Sequence, residues 1–322
     1  MSDSTQQNSD TPSTEHWEKS VLEKVALSAI EEQKRARRWS TFFKLLTFLY
    51  LAVVLYKVFV PGMGSTTVSS DSHTAVIDVV GMISEATESN ADRITQGLRD
   101  AANHTGTKGI ILRMNTPGGT PVQAAYIYDE IRAIKEQHPE LPIFSVVSDI
   151  CASGGYFIAA ATDKIYVNKS SLIGSIGVLL NGFGFVDTMK KLGVERRLIT
   201  SGSNKGILDP FLPMKKDDRE HVENVLTKVH QHFIDAVKTG RGDRLQDDPR
   251  IFTGLFWSGE EGIELGLADG FGTVRSIAHD EIGETNLVNF TPQENLLDRL
   301  SGKFKVALQL AIHEYATGIR LQ

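Results

Sequence analysis

Between residues 75 and 167 the chain alternates short, largely apolar runs with amphipathic ones, and this alternation constrains the fold more than any other feature. Residues 75–80, 109–114, 142–147 and 164–167 read as strands without the polar/apolar alternation of a half-exposed sheet, so both of their faces must be covered. Residues 91–102 and 122–136 between them read as helices, and 153–161 as a shorter one. Further on, 173–180 and 196–200 read as strands and 185–192 and 217–238 as helices. Strands separated by helices predict an α/β domain with a mostly parallel sheet flanked by helices. No internal repeat is visible, so the domain is one copy of its fold.

A different signal precedes this domain. Residues 42–60 are almost wholly apolar, with Lys44 and Lys57 near the two ends. Nineteen residues at helical rise reach roughly 28 Å, close to the hydrocarbon thickness of a bilayer. Lys34, Arg35, Arg37 and Arg38 lie just before this run, which predicts a transmembrane signal anchor with its N-terminus in the cytoplasm. The long N-terminal extension and the lack of a small-x-small site disfavour a cleaved signal peptide. The expected organisation is a disordered or partly helical cytoplasmic tail (1–39), an anchor (40–60), a linker (61–72), the α/β domain (73–282) and a C-terminal extension (283–322). In the extension, Leu297, Leu300, Phe304, Leu308, Ala311 and Tyr315 form an apolar stripe suited to docking on a core or a subunit. A net charge of -6 argues against nucleic acid as a partner. Cys151 is the only cysteine, so no intramolecular disulfide can form.

Three glycine-rich turns fall at the ends of the apolar runs. Asn115-Thr116-Pro117-Gly118-Gly119 follows the second strand and can expose backbone N–H groups as an oxyanion hole, although taken alone it equally describes an ordinary βα turn. Cys151-Ala152-Ser153-Gly154-Gly155 follows the third strand, where a serine is most often a helix cap. Glycines in a first helical turn lower helix stability and are easier to understand if something approaches closely. Gly174-Ser175-Ile176-Gly177 is the third, and by itself reads as a bulge. No histidine occurs between His138 and His221, so a nucleophilic Ser153 needs another base, and Lys205 in the loop Ser203-Asn204-Lys205-Gly206 is the candidate. A lysine acts as a base near neutral pH only when desolvated. No HExxH motif or Cys/His cluster is present, and no metal or cofactor is expected.

Taken in order, these motifs, with Thr253-Gly254 and Gly266-Leu267-Ala268-Asp269-Gly270 downstream, resemble the signal peptide peptidase A family of membrane-anchored serine peptidases over roughly residues 72–282. The resemblance implies a fold similar to Clp proteases and crotonases. It implies Ser153 as nucleophile, Lys205 as general base, Ser175 as the serine that orients the lysine, and the Gly119 and Gly154 amides as the oxyanion hole. It also implies signal-peptide remnants as substrates and a homo-oligomeric ring in which nucleophile and lysine can come from neighbouring protomers. Two departures stand out: Thr116 occupies a position where serine is common, and Asn204-Lys205 stands where Tyr-Lys is frequent. A crotonase-like acyl-CoA enzyme and a non-catalytic membrane scaffold are the alternative readings of the same fold.

Overall fold

The computed structural model describes residues 14–59 and 71–292. They fall into two units, which are taken separately. In the first, helix α1 (Thr14–Phe59) runs through both the expected tail and most of the apolar stretch. Its large apolar side chains from Trp39 to Val53 are exposed. Among the described residues no helix is long and apolar enough to cross a membrane. The expected span continues past Val53, the last residue of α1 whose side chain is described, and Val60 lies outside the described residues. The apolar stripe from Leu297 to Tyr315 also lies outside them.

The second unit is the α/β domain. In chain order it comprises β1 (His73–Val80), α2 (Ala91–Asn103), β2 (Thr107–Thr116), α3 (Pro121–Gln137), β3 (Ile143–Ala152) and α4 (Gly154–Ala159). Then come β4 (Lys164–Val167), β5 (Leu172–Gly174), α5 (Val186–Lys191) and α6 (Lys216–Arg241). The chain continues with β6 (Phe256–Ser258), α7 (Gly259–Glu264), β7 (Gly270–Phe271), α8 (Val274–Ile277) and β8 (Leu287–Asn289). The sheet order is β6-β5-β3-β2-β1-β8, and every pairing is parallel except β5 with β6 at one edge. Strand β3 is long enough to share its other edge between two partners. Its first half pairs with β4 and its last residues with β5, so the sheet forks beside the end of β3.

The apolar strands behave as their composition requires. Ile110, Leu112 and Met114 of β2 face one side with α2, α3 and α4, while Ile111 faces the other with Phe144, Val146, Tyr166 and Ile277. Helix α2 begins where the Asn90 side chain accepts a hydrogen bond from the Arg93 amide at 3.0 Å.

Two expected strands change. Residues 196–200 form none: Ile199 is 96% exposed, and among the described residues no segment pairs with that stretch. The strand expected over 173–180 stops at Gly174, because Ser175 turns to φ 51°, outside the extended region.

The closing segment is tied down by buried polar contacts. Arg241, 1% exposed at the end of α6, forms a two-pronged ion pair with Asp269 at 2.7 and 3.0 Å and donates its Nε to the Gly266 carbonyl. Asp269 also accepts from the Ile165 amide of β4. The Tyr156 hydroxyl of α4 donates to the Leu267 carbonyl at 2.7 Å. Residues 266–270 thus bind α4, α6 and β4 together, which is a structural reason for that motif.

Candidate active site

The sheet order brings three sequence motifs to one place. Strands β2, β3 and β5 are adjacent, and all three run parallel, so their carboxyl ends lie together. The register pairs Thr116 with Cys151 and Ala152 with Gly174. The residues that follow, Pro117–Gly119, Ser153 and Ser175, therefore emerge side by side at the end of the sheet, where parallel α/β folds place their ligands.

Ser153 is not a helix cap. Its backbone sits at φ 52°, ψ -125°, and its side chain bonds to no helix amide. A non-glycine residue in such a region costs on the order of 1–3 kcal/mol and persists only when its surroundings hold it. What holds it is its own amide, which donates to the Gly174 carbonyl at 2.8 Å, and its carbonyl, which accepts from Phe157 at 3.0 Å. The strained turn from strand to helix presents the hydroxyl to a cleft of about 500 Å³.

The opposite wall is the glycine turn after β2. Gly118 adopts φ 98° and its amide donates to the buried Thr116 hydroxyl at 3.1 Å. Ile83, on the loop after β1, donates to the Gly118 carbonyl and accepts from the Thr120 amide, both at 2.9 Å. This pairing skips the Gly119 amide and leaves it directed away from Ile83. Neither the Gly119 nor the Gly154 amide donates to any backbone group among the described residues, and both glycines line the cleft beside Ser153. A Cβ on Gly154 would lie 3.2 Å from the Gly119 nitrogen, and one on Gly155 would lie 2.5 Å from the Thr116 methyl. The close approach inferred from Ser-Gly-Gly is therefore made by the neighbouring glycine turn. Two unspent amides beside a raised serine hydroxyl can hold the charge that develops on an attacked carbonyl.

Ser175 lines the same cleft, its amide donating to the Leu255 carbonyl at 2.8 Å. The apolar wall comes from Ala124, Phe157, Val229 and Phe233, with the Phe157 and Phe233 rings 5.0 Å apart. Sequence reasoning missed the two residues of α6. The signal was present: Val229, Phe233 and Val237 recur every four residues, marking the face that packs inward.

Lys205 is placed differently. It is exposed, does not line the Ser153 cleft, and lies on an excursion between Ser175 and α6 that folds back on itself. There Phe185 stacks on Phe211 with centroids 5.6 Å apart, and Arg196 pairs with Asp209 at 3.1 Å. Phe183 is 83% exposed and Leu179 79%. No cleft-lining residue carries a group that could serve as a base: the lining is glycine, proline, apolar and hydroxyl side chains. His230 of α6 is nearby, but its Nε2 donates to the Ile176 carbonyl at 3.1 Å and it does not line the cleft.

Comparison with known proteins gives a family match over part of the chain. Residues 135–284 match the model of Peptidase family S49. Over that stretch, just under half of its length, the chain is similar to peptidase family S49. Among relatives of the chain, a putative signal peptide peptidase SppA of Enterococcus faecium is 28% identical over 213 residues, covering 63% of this chain and 61% of that protein. A putative protease MJ0651 of Methanocaldococcus jannaschii is 31% identical over 176 residues, 55% of this chain and 56% of that one. A protein of Brucella abortus named Na(+)/H(+) antiporter NhaA is 45% identical over 191 residues, 59% of this chain but 26% of that protein. The chain thus spans about a quarter of the antiporter-named relative, and under two thirds of the peptidase-named ones. The match to family S49 and the protease-named relatives support a serine peptidase.

Proposed function

We propose that this chain is a membrane-anchored serine endopeptidase whose active site is completed between subunits. The observation that carries this reading is a cleft that holds a strained, uncapped Ser153 and two unspent amides but no base. Lys205 stands out on an exposed apolar excursion of the same chain. A neighbouring copy that buries this excursion would desolvate the lysine and deliver it to Ser153, with Ser175 orienting the amine.

In the reaction, the neutral Lys205 amine takes the Ser153 Oγ proton as Oγ bonds to a peptide carbonyl carbon. The oxyanion so formed accepts hydrogen bonds from the Gly119 and Gly154 amides. Lys205 then gives its proton to the departing amine as the C–N bond breaks. Water attacks the resulting ester with Lys205 again as base, releasing the acid and restoring Ser153. The apolar wall of Ala124, Phe157, Val229 and Phe233 favours apolar peptides, and signal-peptide remnants are such substrates. Residues 42–60 would insert in the bilayer and hold the domain at the outer face of the membrane.

Subunit mixing tests the proposal. Ser153→Ala and Lys205→Ala should each be inactive on an apolar fluorogenic peptide. An equimolar mixture, dissociated and reassembled, should recover about a quarter of wild-type activity, since each site needs one neighbour of each kind. Near-wild-type turnover by Lys205→Ala would remove the lysine from the mechanism. Two inactive variants whose mixture stays inactive would place both groups of each site in one chain.

A further inference from the structure

The position of the Gly119 amide decides whether an oxyanion hole exists, and one buried side chain touches both halves of the site. Thr116 is fully buried at the last position of β2 and pairs in register with Cys151, two residues before Ser153. Its hydroxyl accepts the Gly118 amide at 3.1 Å. Its methyl covers Gly155, where any Cβ would come within 2.5 Å of it. On the other side of the turn, the Cα face of Gly118 rests on the nucleophile turn. A Cβ there would meet the Ala152 carbonyl oxygen and the Gly154 nitrogen at 2.7 Å, and the Ser153 Cβ at 2.8 Å.

We propose that Thr116 is the positioning residue of the site. Its hydroxyl fixes the Pro117-Gly118-Gly119 turn so that the Gly119 amide points at the oxyanion, while its methyl sets the height of the Ser153 turn. This rests on the reading of Ser153 as nucleophile and of Gly119 as oxyanion donor. Without the hydroxyl, the buried Gly118 amide loses its acceptor and the turn must move to find another. A shift of that kind weakens the transition state more than substrate binding.

Two matched pairs separate hydroxyl from shape. Thr116 and Thr116→Val have similar shape and differ in the hydroxyl, and Thr116→Ser and Thr116→Ala both lack the methyl and differ in the hydroxyl. Within each pair, loss of the hydroxyl should lower kcat on the order of 10²-fold with KM little changed. Affinity for a peptide boronic acid, which forms a tetrahedral adduct, should fall in parallel, while affinity for the corresponding unreactive peptide amide should not. If Thr116→Val melts below the assay temperature, the Ser/Ala pair carries the same comparison. Equal kcat within a pair overturns the proposal. Labelling of the wild-type protein by a fluorophosphonate probe, abolished in Ser153→Ala, tells the two levels apart. A labelled wild type with hydroxyl-independent kcat refutes the role of Thr116 alone, and an unlabelled wild type refutes the peptidase reading beneath it.

Discussion

Replacing Gly119 by alanine is the sharpest perturbation the structure offers. The added Cβ would fall 1.8 Å from the Ile83 carbonyl oxygen, 2.6 Å from its carbon and 2.8 Å from its nitrogen. All three are backbone atoms, and Ile83 is fully buried, so no side chain can swing aside. Restoring an ordinary carbon–oxygen separation of about 3.3 Å requires a relative shift of about 1.5 Å. That breaks the two hydrogen bonds linking Ile83 to the turn, at about 1 kcal/mol each, and strain from overpacking adds about 1–3 kcal/mol. The expected destabilisation is about 3–5 kcal/mol, or about 6–20 °C in Tm for a domain of this size. A 1.5 Å shift also exceeds the roughly 0.5 Å tolerance of a catalytic constellation, so kcat should fall about 10²–10³-fold. Gly154→Ala is the comparator: its methyl would sit 3.2 Å from the Gly119 nitrogen and 3.3 Å from the Ala124 Cβ, close but not overlapping. It should lower kcat by crowding the amide while leaving Tm nearly unchanged. Circular-dichroism melts with turnover of an apolar fluorogenic peptide measure both. A Gly119→Ala protein that melts and turns over like wild type would refute the claim that the turn is locked against Ile83.

Two further outcomes follow from buried groups. Burial alone would raise the Asp269 carboxyl, but the Arg241 hydrogen bonds and charge outweigh it and hold the group below the usual carboxylate range. A depressed folded value means stability present above about pH 4 and lost as pH falls through that folded value. Asp269→Asn leaves Arg241 buried without its counter-charge, so urea unfolding should show a loss of about 3–5 kcal/mol at pH 7. The gap to wild type should narrow below about pH 4, and a constant gap would contradict the ion-pair account. Cys151 is fully buried behind Ser153, and burial pushes its thiol up. It should resist a disulfide reagent at pH 8 in the native protein and react stoichiometrically in denaturant; rapid native labelling would show that the β3 end opens to solvent.

Much of the α/β domain was legible because its signals are local. The strands at 75–80, 109–114 and 164–167 and the helices α2, α3 and α6 sit where apolar runs and helical periodicity put them. Strand 196–200 was not legible: its β-favouring residues have no strand partner among the described residues, and a strand is stable only when paired. The end of the strand at Gly174 was hidden for a related reason. The positive φ of Ser175 goes with a hydrogen bond from its amide to the carbonyl of Leu255, eighty residues further on.

The same division runs through the site. By itself the sequence determined which residues were able to react: a serine followed by two glycines, a Pro-Gly-Gly turn and a second serine, with no histidine in reach along that stretch. Those are properties of residue type and near neighbours. Only the tertiary structure decided that β2, β3 and β5 lie side by side, so that turns separated by tens of residues share one cleft. It alone showed that Ser153 is strained and uncapped, and that Phe233 and Val229 wall the cleft from a distant helix. It also set Lys205 on an exposed excursion, outside the cleft it was expected to serve. Strand order and register depend on long-range pairing, which no local pattern encodes.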